Sequence, residues 1–91
     1  MKVGIIGGGK VGCCLADYLK NHLVGITATT IEKNQMLANR FHTSCTTTSE
    51  VIVQSEVIFL TVPDRKIADV AQAIVLTQNV EDKIFLHCSG S

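Results

Sequence analysis

The chain has 91 residues, enough for one small domain with a thin core, since a chain of this size buries only ~60–65% of its unfolded surface. Lysine plus arginine balances aspartate plus glutamate at eight each, which removes the charge argument for nucleic acid or an anionic membrane as partner. Hydrophobic residues make up 46%, a share suited to a sheet covered on both faces, yet no apolar run reaches the ~18 residues needed to span a membrane. No basic segment with a following cleavage site opens the chain, so no secretory leader is read there.

In chain order, Lys2 to Ile6 reads as a short apolar strand. Gly7, Gly9 and Gly12 then form G-x-G-x-x-G, with an extra glycine at Gly8. From Lys10 the pattern turns helical to about Lys20, with Val11, Leu15 and Tyr18 recurring every three or four residues. Strand, glycine turn and helix in that order is the setting the dinucleotide fingerprint requires. Gly7 permits a tight turn, Gly9 lets a pyrophosphate approach bare backbone, and Gly12 lets the helix pack close to the sheet. The amides of Gly8, Lys10 and Val11 belong to the same phosphate-receiving turn, at the positive end of the helix dipole.

Val24 to Ala28 is the second expected strand. Glu32 to Phe41 is the second helix, with Met36, Leu37 and Phe41 as its apolar side. Thr43 to Thr47 is read as a short third strand with its loop, and Ser49 to Gln54 as one or two helical turns. VIFLTV, Val57 to Val62, is a continuous apolar run fit for a central parallel strand. Pro63 stops it. Asp64 caps a third helix carrying Ile67, Val70, Ala71 and Ile74 on one face. Lys83 to His87 is the fifth strand, followed by Cys88-Ser89-Gly90-Ser91.

Alternating strands and helices imply an α/β, doubly wound, mostly parallel five-stranded Rossmann sheet of order 3-2-1-4-5. No repeat, low-complexity tract or linker divides it. The chain stops just after the fifth strand, which reads as the first domain of a longer, truncated enzyme. Ligands of such sheets lie beyond the carboxyl ends of the strands, where the order reverses. Gly7 to Gly12, Thr29 and Thr30, Thr61 to Asp64, and His87, Ser89 and Gly90 should therefore converge on one crevice.

The end of strand two selects the cofactor. NAD binders place an acidic residue there to hold the ribose hydroxyls. This chain has Ala28-Thr29-Thr30 followed by Lys33, which could hold a 2′-phosphate, so NADP is favoured and NAD remains possible. Thr29 with Glu32 also forms the S/T-x-x-E capping box, and both readings stand. Asp64 serves equally as a helix cap. His87 is a candidate for proton transfer or a simple hydrogen bond, and Ser89 for a backbone contact to the cofactor rather than a nucleophile. The four cysteines (Cys13, Cys14, Cys45 and Cys88) have no C-x-x-C or metal-ligand spacing and read as reduced, mostly buried thiols of a cytoplasmic protein. No metal site is expected.

GIIGGGKVG, TVPDRKI and LHCSGS together resemble the N-terminal domain of the 6-phosphogluconate dehydrogenase and pyrroline-5-carboxylate reductase group. The chain is also similar to Rossmann-like NADP-dependent oxidoreductases without an assigned substrate. The resemblance covers essentially the whole chain. It implies that Val62, Pro63 and Asp64 line the cofactor near ribose and nicotinamide, and that His87, Ser89 and Gly90 lie beside the nicotinamide. Many NADP-using relatives carry arginine where this chain has Thr29. The resemblance also implies a helical C-terminal domain that completes the substrate site and the homodimer. On this reading the protein moves hydride to or from a small substrate, and the 91 residues alone bind weakly and catalyse nothing. The alternative is a non-catalytic NAD(P)-sensing regulatory domain. Those typically have an acidic residue after strand two and lack the V-P-D and H-x-S-G turns. An S-adenosylmethionine site fits poorly for the same want of an acidic residue.

Overall fold

The computed structural model describes residues 1–28, 31–43, 47–61, 72 and 82–87. Four strands, β1 (Val3–Ile6), β2 (Leu23–Thr27), β3 (Val57–Leu60) and β4 (Ile84–His87), form one parallel sheet in the order β2-β1-β3-β4. Three helices are described: α1 (Lys10–Tyr18), α2 (Ile31–Phe41) and α3 (Thr48–Gln54). None is long and apolar enough to cross a membrane. Residues 44–46, the middle of the expected third strand, lie outside the described residues. So do Asp64, Ile67, Val70, Ala71 and Ile74 of the helix expected after Pro63.

The sheet is lined on two faces. Ile5 and Ile26 pack with Ala16 of α1 and with Leu37 and Phe41 of α2. Ile6, Ile58 and Leu60 pack on the other face with Ile52 of α3, and Phe85 leans against them. Each fully buried Ile or Leu contributes about 1.5–3 kcal/mol by leaving water. The parallel register places Ile5, Phe59 and Leu86 in one row. Along that row burial fades from Ile5 at 0% exposure to Leu86 at 44%, because α1 and α2 cover the β1–β2 side and β4 lies beyond them.

Two helix faces differ from their sequence pattern. Tyr18 is 87% exposed, since Gly12 and Ala16 are the α1 residues turned to the sheet and Tyr18 falls well round the helix from them. Met36 is 65% exposed. The buried face of α2 is Asn34, Leu37, Ala38 and Phe41, an i, i+3, i+4, i+7 stripe whose first member is polar.

The caps are local chemistry. Thr47 begins α3, its hydroxyl accepting from the Glu50 backbone N–H at 3.2 Å and donating to the Glu50 carboxylate at 3.1 Å. At the other end of α3, the Lys83 ammonium donates to the Val53 and Ser55 carbonyls at 3.2 and 2.7 Å, a cation at the negative end of the helix dipole. After α2, His42 takes a left-handed φ of 57°, and Thr43 N–H bonds back to Ala38 at 3.0 Å.

Candidate functional site

β1 is flanked by β2 on one side and β3 on the other. The chain leaves β1 toward β2 and leaves β3 toward β4, in opposite directions, so the order reverses between β1 and β3. That is the point at which parallel sheets open a crevice beyond the strand ends.

Gly7 follows β1 directly with φ +121°, a backbone state that side chains rarely adopt. Its N–H donates to Thr27 of β2 at 2.7 Å. Its carbonyl accepts from the Thr61 hydroxyl at 2.9 Å. The Thr61 N–H also donates to Ile6 at 2.8 Å, extending the β1–β3 ladder by one bond. Thr61 itself is buried at 1% exposure. The glycine turn is therefore tied to both neighbouring strands.

Gly9 is the N-cap of α1, with extended backbone and no side-chain capping bond. The first bond of the helical pattern runs from Cys13 N–H to the Gly9 carbonyl at 3.0 Å. The N–H groups of Lys10, Val11 and Gly12 come before it and lie outside the i→i−4 series. Together with the dipole they make an anion-receiving end. Gly12 is buried against the turn, and a Cβ there would collide with the Gly7 carbonyl and stand 2.9 Å from the Thr61 hydroxyl. The Cys13 thiol donates to the Gly8 carbonyl at 3.6 Å. On its outer flank, Lys10, Val11, Cys14, Leu15 and Tyr18 line a shallow, largely apolar groove. Asp17 pairs with Arg40 of α2 at 3.5 Å.

α2 brings two side chains to the same end of the sheet. The Lys33 Cε lies 3.3 Å from where a Cβ on Gly8 would stand. Asn34, 9% exposed, accepts through Oδ1 from the Ala28 N–H just past β2. The structure thus gathers Gly7, Gly8, Gly9, Lys10, Val11, Gly12 and Lys33 at one end of the sheet. Thr29, Thr30, Val62, Pro63, Asp64 and Ser89 lie outside the described residues. His87 ends β4 with its side chain exposed.

Sequence reasoning placed Thr61 at a strand end without seeing that its hydroxyl holds the turn. It missed Asn34 altogether, although an Asn at the head of an i, i+3, i+4, i+7 apolar stripe is a readable signal for a buried polar anchor. Cys14 is exposed and Cys13 half-buried, both as free thiols, so the expectation of mostly buried thiols fails at Cys14. Cys14 falls on the solvent side of α1, opposite Gly12 and Ala16. Cys45 and Cys88 lie outside the described residues. Among the described residues no three His, Cys, Asp or Glu side chains cluster as metal ligands.

The fold is shared with solved structures. Two crystal forms of UDP-N-acetylglucosamine 3-dehydrogenase GnnA from Acidithiobacillus ferrooxidans superpose with TM-scores of 0.72 and 0.71 at 18% identity. They match 84% and 80% of this chain and 26% and 25% of their own length, so the chain spans about a quarter of the enzyme it resembles. No curated protein matches in sequence. Residues 1–91 match the Rossmann-like domain family from end to end, and the chain belongs to that family.

Proposed function

We propose that the chain is the cofactor domain of an NADP-dependent oxidoreductase that moves hydride to or from a small substrate. The observation that carries this reading is the start of α1. The N-cap is Gly9, which has no side chain to cap with, and the N–H groups of Lys10, Val11 and Gly12 precede the first bond of the helical pattern. The residues fit a dinucleotide: Gly7, Gly8, Gly9, Lys10, Val11 and Gly12 cradle the pyrophosphate. Lys33, its stem against the glycine turn, pairs with the 2′-phosphate beside Thr29 and Thr30. Val62, Pro63, Asp64 and Ser89 complete the ribose and nicotinamide end. The nicotinamide supplies the hydride chemistry, and this chain binds and orients it.

A fifth strand outside β2, giving the order 3-2-1-4-5, belongs to the same proposal. The kinship is with the 6-phosphogluconate dehydrogenase and pyrroline-5-carboxylate reductase group. The partner elements are a substrate domain that also builds a homodimer, in a cytoplasmic enzyme. The dehydrogenase neighbours support oxidation–reduction as the class.

The test is titration calorimetry with NADPH and with NADH, beside Gly9→Val. Gly9 has φ −78° and ψ −167°, open to any residue, so the substitution fills the cradle without backbone strain. NADPH is expected to bind more tightly than NADH, and Gly9→Val to bind neither. A Gly9→Val variant that binds like wild type would remove the dinucleotide reading, and a preference for NADH would remove the assignment to NADP.

A further inference from the structure

We infer that Thr61 is a positioning residue for the phosphate-binding turn: its hydroxyl fixes the Gly7–Gly8 peptide plane and so the direction of the Gly8 N–H. The inference rests on the dinucleotide reading above, and deepens it.

Thr61 lies one residue past β3, buried at 1% exposure, where neither solvent nor a ligand reaches its side chain. Its oxygen sits 2.9 Å from the Gly7 carbonyl and 3.3 Å from the Ile6 carbonyl. A hydroxyl has one proton to donate, and the shorter contact takes it. A trans peptide is planar, so a carbonyl pinned on one side sends the N–H of the same unit the opposite way. With Gly7 O drawn toward Thr61, Gly8 N–H points away from Thr61. Gly7 needs this restraint more than most residues, because glycine at φ +121° has wide freedom of its own. The turn is further boxed in by Gly12, where even a methyl would strike both Gly7 O and the Thr61 hydroxyl. The next peptide has its own restraint, the Cys13 thiol on Gly8 O at 3.6 Å, a weaker donor at longer range. Thr61 is thus the stronger of these two side-chain ties, and the one that reaches the turn from across the crevice. A set of amides aimed in advance binds an anion without first ordering the loop.

Thr61→Val keeps the branched shape and removes the proton, and Thr61→Ser keeps the proton and removes a methyl. NADPH affinity should fall about tenfold in Thr61→Val, the effect of one misdirected hydrogen bond, and stay within about twofold in Thr61→Ser. Adenosine 2′-monophosphate, which lacks the pyrophosphate, should bind both variants like wild type. In the ligand-free protein, the Gly8 amide resonance should shift and exchange faster in Thr61→Val alone. NADPH binding by Thr61→Val equal to wild type, or equal losses in Thr61→Ser, would overturn the inference. So would an equal loss of adenosine 2′-monophosphate. If wild type binds no NADPH, the cofactor reading falls, and an unmoved Gly8 amide still overturns the positioning role. Should Thr61→Val fail to fold, the wild-type hydroxyl proton decides: slow exchange and proximity to Gly7 and Gly12 support the inference, and rapid exchange with water ends it.

Discussion

Lys33 of α2 and Gly8 of the glycine turn are neighbours across the end of the sheet, the lysine Cε lying 3.3 Å from where a Gly8 side chain would begin. The contact sets a cationic side chain beside bare backbone. A phosphate that reached the Lys33 ammonium would meet a charge-assisted donor, worth about 1.5–3 kcal/mol. Lys33→Ala should therefore weaken NADPH binding about tenfold or more and leave NADH nearly unchanged, as read by calorimetry. Equal losses for the two nucleotides would place Lys33 elsewhere than on the 2′-phosphate.

Gly12→Ala should damage both fold and binding. The added methyl collides with the Gly7 carbonyl, which is backbone and cannot swing aside. Overpacking of this kind costs about 3 kcal/mol at the upper end of its usual range. For a domain of this length, thermal unfolding should come more than ~10 °C lower. A melting temperature close to wild type would show that α1 stands farther from the turn than described.

Asn34→Ala tests the link between α2 and the end of β2. Loss of the amide oxygen leaves the Ala28 N–H without that acceptor, at a cost of about 1–3 kcal/mol. Urea denaturation followed by circular dichroism should show the midpoint falling with little change in slope. A loss below ~0.5 kcal/mol, the range of ordinary surface changes, would mean that the bond adds nothing to stability.

His42→Gly should stabilise the protein. His42 closes α2 in a left-handed conformation that costs roughly 1–2 kcal/mol in a residue with a side chain. Glycine adopts it freely but gives up about 0.5–1 kcal/mol in unfolded-state entropy, leaving a net gain of about 0.5 kcal/mol. A rise in the urea midpoint checks this, and a fall would mean that the His42 side chain stabilises the end of α2.

Most of the element order was legible because periodicity is local. VIFL reads as a buried parallel strand from its own composition, and β3 is there. The glycine turn read correctly because φ +121° at Gly7 is a demand only glycine meets at no cost. The face of α2 was misread because hydropathy favours Met36, whereas burial follows geometry: Asn34 shares a stripe with Leu37, Ala38 and Phe41 and is buried for the bond it accepts. Tyr18 shares the helical spacing of Val11 and Leu15 and ends α1, but spacing says nothing of which way α1 is rolled on the sheet, and Tyr18 is exposed.

By itself, the sequence determined the strand–turn–helix opening, the lack of a carboxylate after β2 and the parallel alternation of elements, because each depends on residues close together in the chain. Only the tertiary structure decided that Thr61 grips Gly7, that Lys33 lies over Gly8 and that Asn34 is buried. Those contacts span 54 positions, 25 positions and six positions of the chain. The first two exist because parallel pairing of β1 with β2 and β3 brings three strand ends together, a juxtaposition that no local pattern encodes; the third joins near neighbours and leaves its trace at the head of the α2 stripe.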